Sequence, residues 1–288
     1  MTRLALGTVQ FGLDYGINNA AGRVPDADAE GILRRGVLGG IDTLDTAQTY
    51  GRSEAVIGAF QRASAHPYRI VTKFAAPEPD SSLSDSLDRS LAALGRDRIY
   101  GFLAHDFESI RHDERVWGEL QALRQEGRVE KIGFSVYHPS QIEWAADHGL
   151  DFDLVQIPHN VFDRRFEDLL PSLKRAGVTV HARSAFLQGL FFCDPDSLSS
   201  HFSAVKPKLE RFRRWASDQG HSLAALLLGF CLARSELDRI VVGVDSLEQL
   251  QQNLAATDSL SRDEGDWYDV LNDLAESDEQ VLLPPHWR

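Results

Sequence analysis

Leu4-Ala-Leu-Gly-Thr-Val-Gln-Phe-Gly12 is where two architectures part. The run begins as a short apolar segment, the pattern of a parallel strand covered on both faces. Its glycines, Gly7 and Gly12, do not make the G-x-G-x-x-G turn with which an open, doubly wound sheet receives a dinucleotide. The alternation that follows must therefore close in some other way.

Outward from this stretch, seven further apolar runs lie at residues 43–46, 70–74, 99–105, 131–136, 154–158, 178–184 and 240–244; with 4–8 they make eight strand candidates. Between them, helical spacing marks 26–38, 82–94, 114–125, 140–147 and 167–175. Pro25 and Pro139 precede two of these segments, and Gly39, Gly95, Gly127, Gly149 and Gly177 follow the segment ends, where a left-handed cap is needed. No linker divides the chain. The pattern predicts a single-domain α/β protein, a (β/α)8 TIM barrel over residues 1–288. Residues 200–233 hold two helical segments where one is expected, so the first, near 201–219, reads as an insertion after the seventh strand. The region after 260 reads as a C-terminal helix and tail outside the barrel.

Bulk properties narrow the function classes. A net charge of −13 opposes binding to nucleic acid or to an anionic membrane surface, because phosphates are repelled. Cys193 and Cys231 have no CxxC spacing, which argues against a disulfide framework or thiolate zinc site. His105, His159 and His181 form no HxH or HExxH grouping, so no metal is expected. Neither a secretion signal nor a membrane span is evident, and the expected location is the cytoplasm.

Chemistry in such barrels sits at the C-terminal strand ends. The second strand ends at Asp45 with Tyr50 in the following loop, the third carries Lys73, and the fourth ends at His105. These strands are consecutive, so the four side chains are neighbours on the rim. Singly, each has a plain structural explanation: a turn cap, a surface aromatic, a solvated strand end, one histidine among ten. Together they suit carbonyl reduction, in which hydride attack leaves negative charge on oxygen and a donor must neutralise it. Tyr50 is the expected acid/base, Lys73 the ammonium that lowers its pKa, Asp45 the partner of the lysine, and His105 the group that orients the substrate oxygen.

The stretch Asp45-Thr-Ala-Gln-Thr-Tyr50-Gly, continuing through Ser53, Glu54 and Gly58, resembles the D-T-A-x-x-Y-G-x-S-E-x-x-x-G motif of the aldo-keto reductase superfamily. The resemblance covers nearly the whole chain. It implies an NAD(P)H-dependent oxidoreductase, with NADP(H) lying across the barrel top and NAD(H) as the alternative. By the same resemblance Ser135 and Gln156 hold the nicotinamide carboxamide; Val136 replaces the usual asparagine. Arg183 stands in place of the aromatic that stacks on the ring, and Ser184, Leu187, Gly189 and Leu190 touch the pyrophosphate. Gly243, Ser246, Gln249 and Asn253 lie in the stretch that reads the adenosine end, where Gln249 replaces the usual arginine and Asp245 adds an acid. Thr8, ending the first strand, joins the expected cofactor contacts.

Two other readings compete. Lys73 on a barrel strand end would also suit a Schiff-base aldolase, although Asp45 would stabilise the ammonium that such chemistry must avoid. A non-catalytic nucleotide sensor of the same fold is the other, as in potassium-channel β subunits that resemble the family. The polar and aromatic loop after the first strand favours a sugar-like carbonyl or alcohol substrate, and the resemblance makes a monomer the default.

Overall fold

The computed structural model describes residues 2–64, 68–76, 81–259 and 267–287. The eight expected strands form: β1 (Leu4–Gly7), β2 (Thr43–Asp45), β3 (Arg69–Phe74), β4 (Ile99–Ala104), β5 (Val129–Ser135), β6 (Leu154–Pro158), β7 (Thr179–Arg183) and β8 (Arg239–Gly243). They pair in parallel and in sequence order, and β8 returns to β1 from Leu4↔Ile240 to Gly7↔Gly243, closing a (β/α)8 barrel. Closure leaves no sheet edge to protect.

Helices α1 (Asp26–Leu38), α2 (Ser53–Ala63), α3 (Leu83–Leu94), α4 (Glu108–His112), α5 (Glu114–Gln125), α6 (Pro139–Asp147), α7 (Leu170–Arg175), α8 (Lys206–Asp218), α9 (Leu223–Leu232) and α10 (Leu247–Ser259) accompany the strands. Two short helices follow, α11 (Trp267–Asn272) and α12 (Glu279–Leu282). Residues 260–266, at the start of the expected C-terminal tail, lie outside the described residues. The α2 and α4 helices were not anticipated. In α2 the apolar face of Val56, Ile57 and Phe60 overlaps the Ser53–Gly58 motif, whose residues read first as chemistry.

The strand interior is layered, because side chains alternate inward and outward along each strand. Val71, Leu103 and Leu154 form a small apolar cluster inside the barrel, separate from the large cluster between sheet and helices. Two residues further along the same strands, Lys73 and Gln156 point inward as well, so a polar layer caps the apolar one.

Strands end one residue earlier than expected at Asp45, Ala104 and Arg183, but the ladder continues for one step. Thr46 N donates to Val71 O at 2.9 Å and His105 N to Phe74 O at 3.0 Å. These bonds carry the barrel geometry into the loops that bear the site.

The loop after β1 is wedged against the loop after β2. A Cβ on Gly12 would lie 1.7 Å from the Tyr50 carbonyl oxygen, and Gly51, with φ +53°, faces Gly12 O. Only a residue without a side chain fits at that contact. Gly12→Ala should therefore lower stability by about 1–3 kcal/mol through overpacking, read as a reduced urea midpoint. It should also displace Tyr50 and reduce turnover in the fraction that remains folded.

Candidate active site

Asp45 and Lys73 meet within the polar layer. Lys73 Nζ donates to Asp45 Oδ1 at 2.7 Å and to Thr46 O at 2.9 Å. Gln156 Nε2, arriving from β6, donates to Asp45 Oδ2 at 2.7 Å. Lys73 is 0% exposed and Asp45 4%. Burial pulls the lysine amine below its ordinary value, and the Asp45 carboxylate opposes that pull. A hydroxyl network braces the backbone beside the pair: Thr8 Oγ1 donates to Asp45 O at 2.9 Å, and Ser53 Oγ to Thr8 O at 2.9 Å.

Tyr50 and His105 stand on the loops above this pair. Their rings meet edge to face with centroids 5.6 Å apart, and Lys73 Nζ lies 5.2 Å from the Tyr50 ring centroid. The sequence predicts that the lysine lowers the Tyr50 pKa. In the fold the phenol is instead pushed above its ordinary value, by burial first and then by Asp45, and the cation that pulls it down is Arg183.

His105 Nδ1 is 3.0 Å from Thr49 Oγ1. If that hydroxyl donates, Nε2 carries the proton and becomes a donor. Burial, with Lys73 and Arg183 nearby, pushes the imidazole down to about 4, so it is neutral near pH 7.

A cavity of about 660 Å³ opens over these groups, within the range of about 300–1,000 Å³ typical of small-molecule sites. Of the residues singled out from sequence, Thr8, Asp45, Tyr50, His105, Ser135, Gln156, Arg183, Ser184, Gly189, Gly243, Gln249 and Asn253 line it. Four others do not appear in its wall. Lys73 lies beneath the floor behind Asp45, and the side chains of Leu187 and Leu190 are buried in the large apolar cluster. Ser246 Oγ accepts from Gln249 N at 3.2 Å, at the start of α10. The turn after β7 is tight, with positive φ at Ser184, Leu187, Gln188 and Gly189.

Other lining residues were not singled out. Tyr137, which stacks on Arg183, lies two residues from Ser135, a signal that was available in the sequence, and Thr49, outside the wall, meets His105 from within the Asp45–Tyr50 stretch. Asn18 and Asn19 belong to the polar and aromatic loop after β1 that the sequence offers to the pocket, and it is tied to the loop after β7, which brings Gln188, by Ile17 N donating to Gln188 O at 3.1 Å. Pro284 and Pro285 reach the wall from the C-terminal tail, and no local pattern announces them.

Arg183 stacks on Tyr137, its guanidinium carbon 4.3 Å from the ring centroid, and donates to Val136 O at 3.0 Å and Ser184 Oγ at 3.2 Å. Near the start of α10, Asp245 N donates to Gln249 Oε1 at 2.7 Å, while Asp245 Oδ1 is buried without a hydrogen-bond partner. Gln10 Oε1 is likewise buried and unpartnered. Among the described residues, no group of three or more His, Cys, Asp or Glu side chains is gathered as for a metal, and no helix is long and apolar enough to cross a membrane.

A closed (β/α)8 barrel whose strand ends bring together a phenol, an imidazole and a buried ion pair beside a large cavity defines a barrel enzyme of acid–base chemistry. The family model "Aldo/keto reductase family" matches residues 3–269. L-galactose dehydrogenase of Arabidopsis thaliana is 28% identical over 280 residues, covering 90% of this chain and 86% of that protein. Among solved structures, the aldo-keto reductase AKR11C1 from Bacillus halodurans (holo form) superposes with a TM-score of 0.77 at 20% identity, covering 99% of this chain and 95% of the other. The glycerol dehydrogenase AKR11B4 from Gluconobacter oxydans gives 0.74 at 20%, covering 99% and 93%. The chain belongs to the aldo/keto reductase family, and it is an NAD(P)H-dependent oxidoreductase of carbonyl or alcohol substrates.

The buried imidazoles give the protein an acid-sensitive stability. His105 is pushed down to about 4, and His159 and His181 to about 3, chiefly by burial, from an ordinary 6.5. The unfolded chain therefore binds more protons below pH 6.5, so their contribution is full above pH 6.5 and is lost as the pH falls toward 4 and then 3. Each such histidine contributes a slope of up to about 1.4 kcal/mol per pH unit. Urea unfolding at pH 7.0, 5.5 and 4.5 should show the decline, and His105→Gln should flatten it; an unchanged slope would remove the buried-neutral assignment.

Proposed function

We propose that Tyr50 is the proton donor and acceptor for hydride transfer at the cavity floor. The supporting observation is its ring, 5.6 Å from that of His105 and 5.2 Å from Lys73 Nζ, beside the Lys73–Asp45–Gln156 set at the cavity floor. A nicotinamide dinucleotide bound in the cavity would supply or accept the hydride. In reduction, the Tyr50 hydroxyl gives its proton to the carbonyl oxygen; in oxidation, the phenolate takes the proton of the alcohol. His105, neutral, donates a hydrogen bond to the same oxygen and fixes its angle. Asp45, locked by Lys73 and Gln156, keeps the floor rigid.

The nicotinamide carboxamide would lie against Ser135 and Gln156, whose amide nitrogen is engaged by Asp45 while its carbonyl oxygen stays available. Leu187 and Leu190 would contribute through backbone alone, since their side chains are buried. A Schiff base on Lys73 is disfavoured, because the amine is fully buried against Asp45 and away from the cavity.

At the adenosine end the wall holds Gly243, Asp245, Gln249, Gln252 and Asn253, with no lysine or arginine among them. A 2′-phosphate there would meet the Asp245 carboxylate without a bidentate cation, whereas a ribose hydroxyl brings no charge for Asp245 to repel. This supports NAD(H) ahead of NADP(H). The polar wall of Asn18, Asn19 and Gln188, together with relatives named for L-galactose and glycerol, supports a polyhydroxylated alcohol or aldehyde as substrate.

Tyr50→Phe should retain nucleotide affinity and lose about 10²–10⁴-fold in turnover, measured with a panel of sugar alcohols and aldehydes; near-normal turnover would remove the assigned donor. Fluorescence titration should show NADH binding at least about tenfold more tightly than NADPH, a difference of about 1.4 kcal/mol. Asp245→Asn should narrow that gap, and a preference for NADPH in the unsubstituted protein would reverse the cofactor reading.

A further inference from the structure

Among the described residues, one cation in the cavity wall lacks a matching carboxylate. Lys73 and Asp45 sum to no net charge whichever of them carries the shared proton, and His105 is neutral. Arg183 is different: its partners are a carbonyl oxygen, a hydroxyl and the face of Tyr137, none of them an anion. Besides Asp45, the carboxylate lining the cavity is Asp245, which responds to Asp14 and to burial. An arginine does not deprotonate in a protein. A permanent positive charge therefore faces the space between β5 and β7.

That space is also where the functional reading above places the nicotinamide. Arg183 pairs across the sheet with Pro158, two residues beyond Gln156 on β6, and Gln156 pairs with Ser135 on β5. Its bond to Val136 O, next to Ser135, holds the guanidinium over this corner. The two forms of the cofactor ring differ in charge: oxidised, it is a cation; reduced, it is neutral. A fixed positive charge nearby penalises the first and leaves the second largely untouched, most strongly where water is excluded.

We propose that Arg183 sets the redox poise of the bound cofactor, so that the site holds the reduced nicotinamide more tightly than the oxidised one and favours alcohol oxidation. This rests on the nicotinamide reading of the cavity. In the favoured direction the C–H bond of the alcohol breaks and its electron pair leaves as hydride to the oxidised ring. The O–H proton passes to the Tyr50 oxygen and on to solvent, and the C=O bond forms. The alcohol is oxidised by two electrons, the cofactor is reduced by two, and one proton is released. Arg183 acts on the base in the same sense, since it is the cation that pulls the Tyr50 phenol down. As a positioning and electrostatic residue it touches no substrate bond itself.

The test is a binding ratio. Intrinsic fluorescence titration of the unsubstituted protein gives the Kd of the reduced nucleotide, and displacement gives that of the oxidised nucleotide, both with the phosphate form that binds. The reduced form should bind at least about tenfold more tightly. Arg183→Gln should shrink the ratio at least about fivefold, mainly by tightening the oxidised nucleotide, and Arg183→Lys, which keeps the charge but loses the planar stack, should retain most of it. A ratio near one in the unsubstituted protein overturns the proposal even if neither variant folds. Equal weakening of both nucleotides in Arg183→Gln, with the ratio intact, also overturns it and makes the residue a stacking contact only. Failure of either nucleotide to bind the unsubstituted protein overturns the cofactor reading itself, and this proposal with it.

Discussion

A lysine with no exposed surface lies inside the mouth of this barrel, and its surroundings are arranged so that it is never an uncompensated charge. Removing one partner of a buried pair typically costs about 3–5 kcal/mol, because the other is left charged in a medium that cannot solvate it. Three consecutive requirements follow. Asp45 must end β2 at the height of Lys73 on β3; Gln156 must reach from β6 to the second carboxylate oxygen; and Thr46 must turn its carbonyl toward the ammonium. Barrel closure meets all three together, since the relative height of these strands is fixed by the register of every pair around the sheet.

The loops inherit that rigidity. Thr46 and His105 each add one further ladder bond beyond their strands, so the first loop residues are held nearly as firmly as the sheet. Gly12 lets the loop after β1 press on the Tyr50 backbone, and Ser53 ties the start of α2 to Thr8. The phenol thus stands on a support built from three strand ends and one helix start. Cavity-lining side chains such as Asn18 and Gln188 lie on longer connections that can change without disturbing the floor.

Charge in the cavity is divided between two tasks. The Lys73–Asp45 pair carries no net charge, yet its members act on near neighbours: Asp45 pushes the Tyr50 phenol up and Lys73 pushes the His105 imidazole down. Arg183, held by neutral partners, keeps its field, and Tyr50 and His105 both respond to it. An aromatic at that position could stack on a ligand but would bring no charge, so this chain's departure from the usual family pattern is itself a source of chemistry.

The sequence by itself was enough for the alternation of eight strands with helices, the absence of a dinucleotide-binding turn after β1, and the proximity of Asp45, Tyr50, Lys73 and His105, because each of these is a local pattern with a fixed period or offset. It paired Lys73 with Asp45, but it could not say how burial and the remaining charges act on Tyr50. Lys73 Nζ lies 5.2 Å from the Tyr50 ring centroid, but that burial and Asp45 push the phenol up while Arg183 pulls it down follows only from the folded arrangement. Leu187 and Leu190 matched motif positions, yet the turn after β7 sends their side chains into the core. Pro284 and Pro285 carry no local signature and reach the cavity wall only because the tail folds back over the barrel. The division has one physical cause: periodicity records which face a residue takes on its own element, whereas Coulomb interactions and burial depend on distances between elements far apart in the chain.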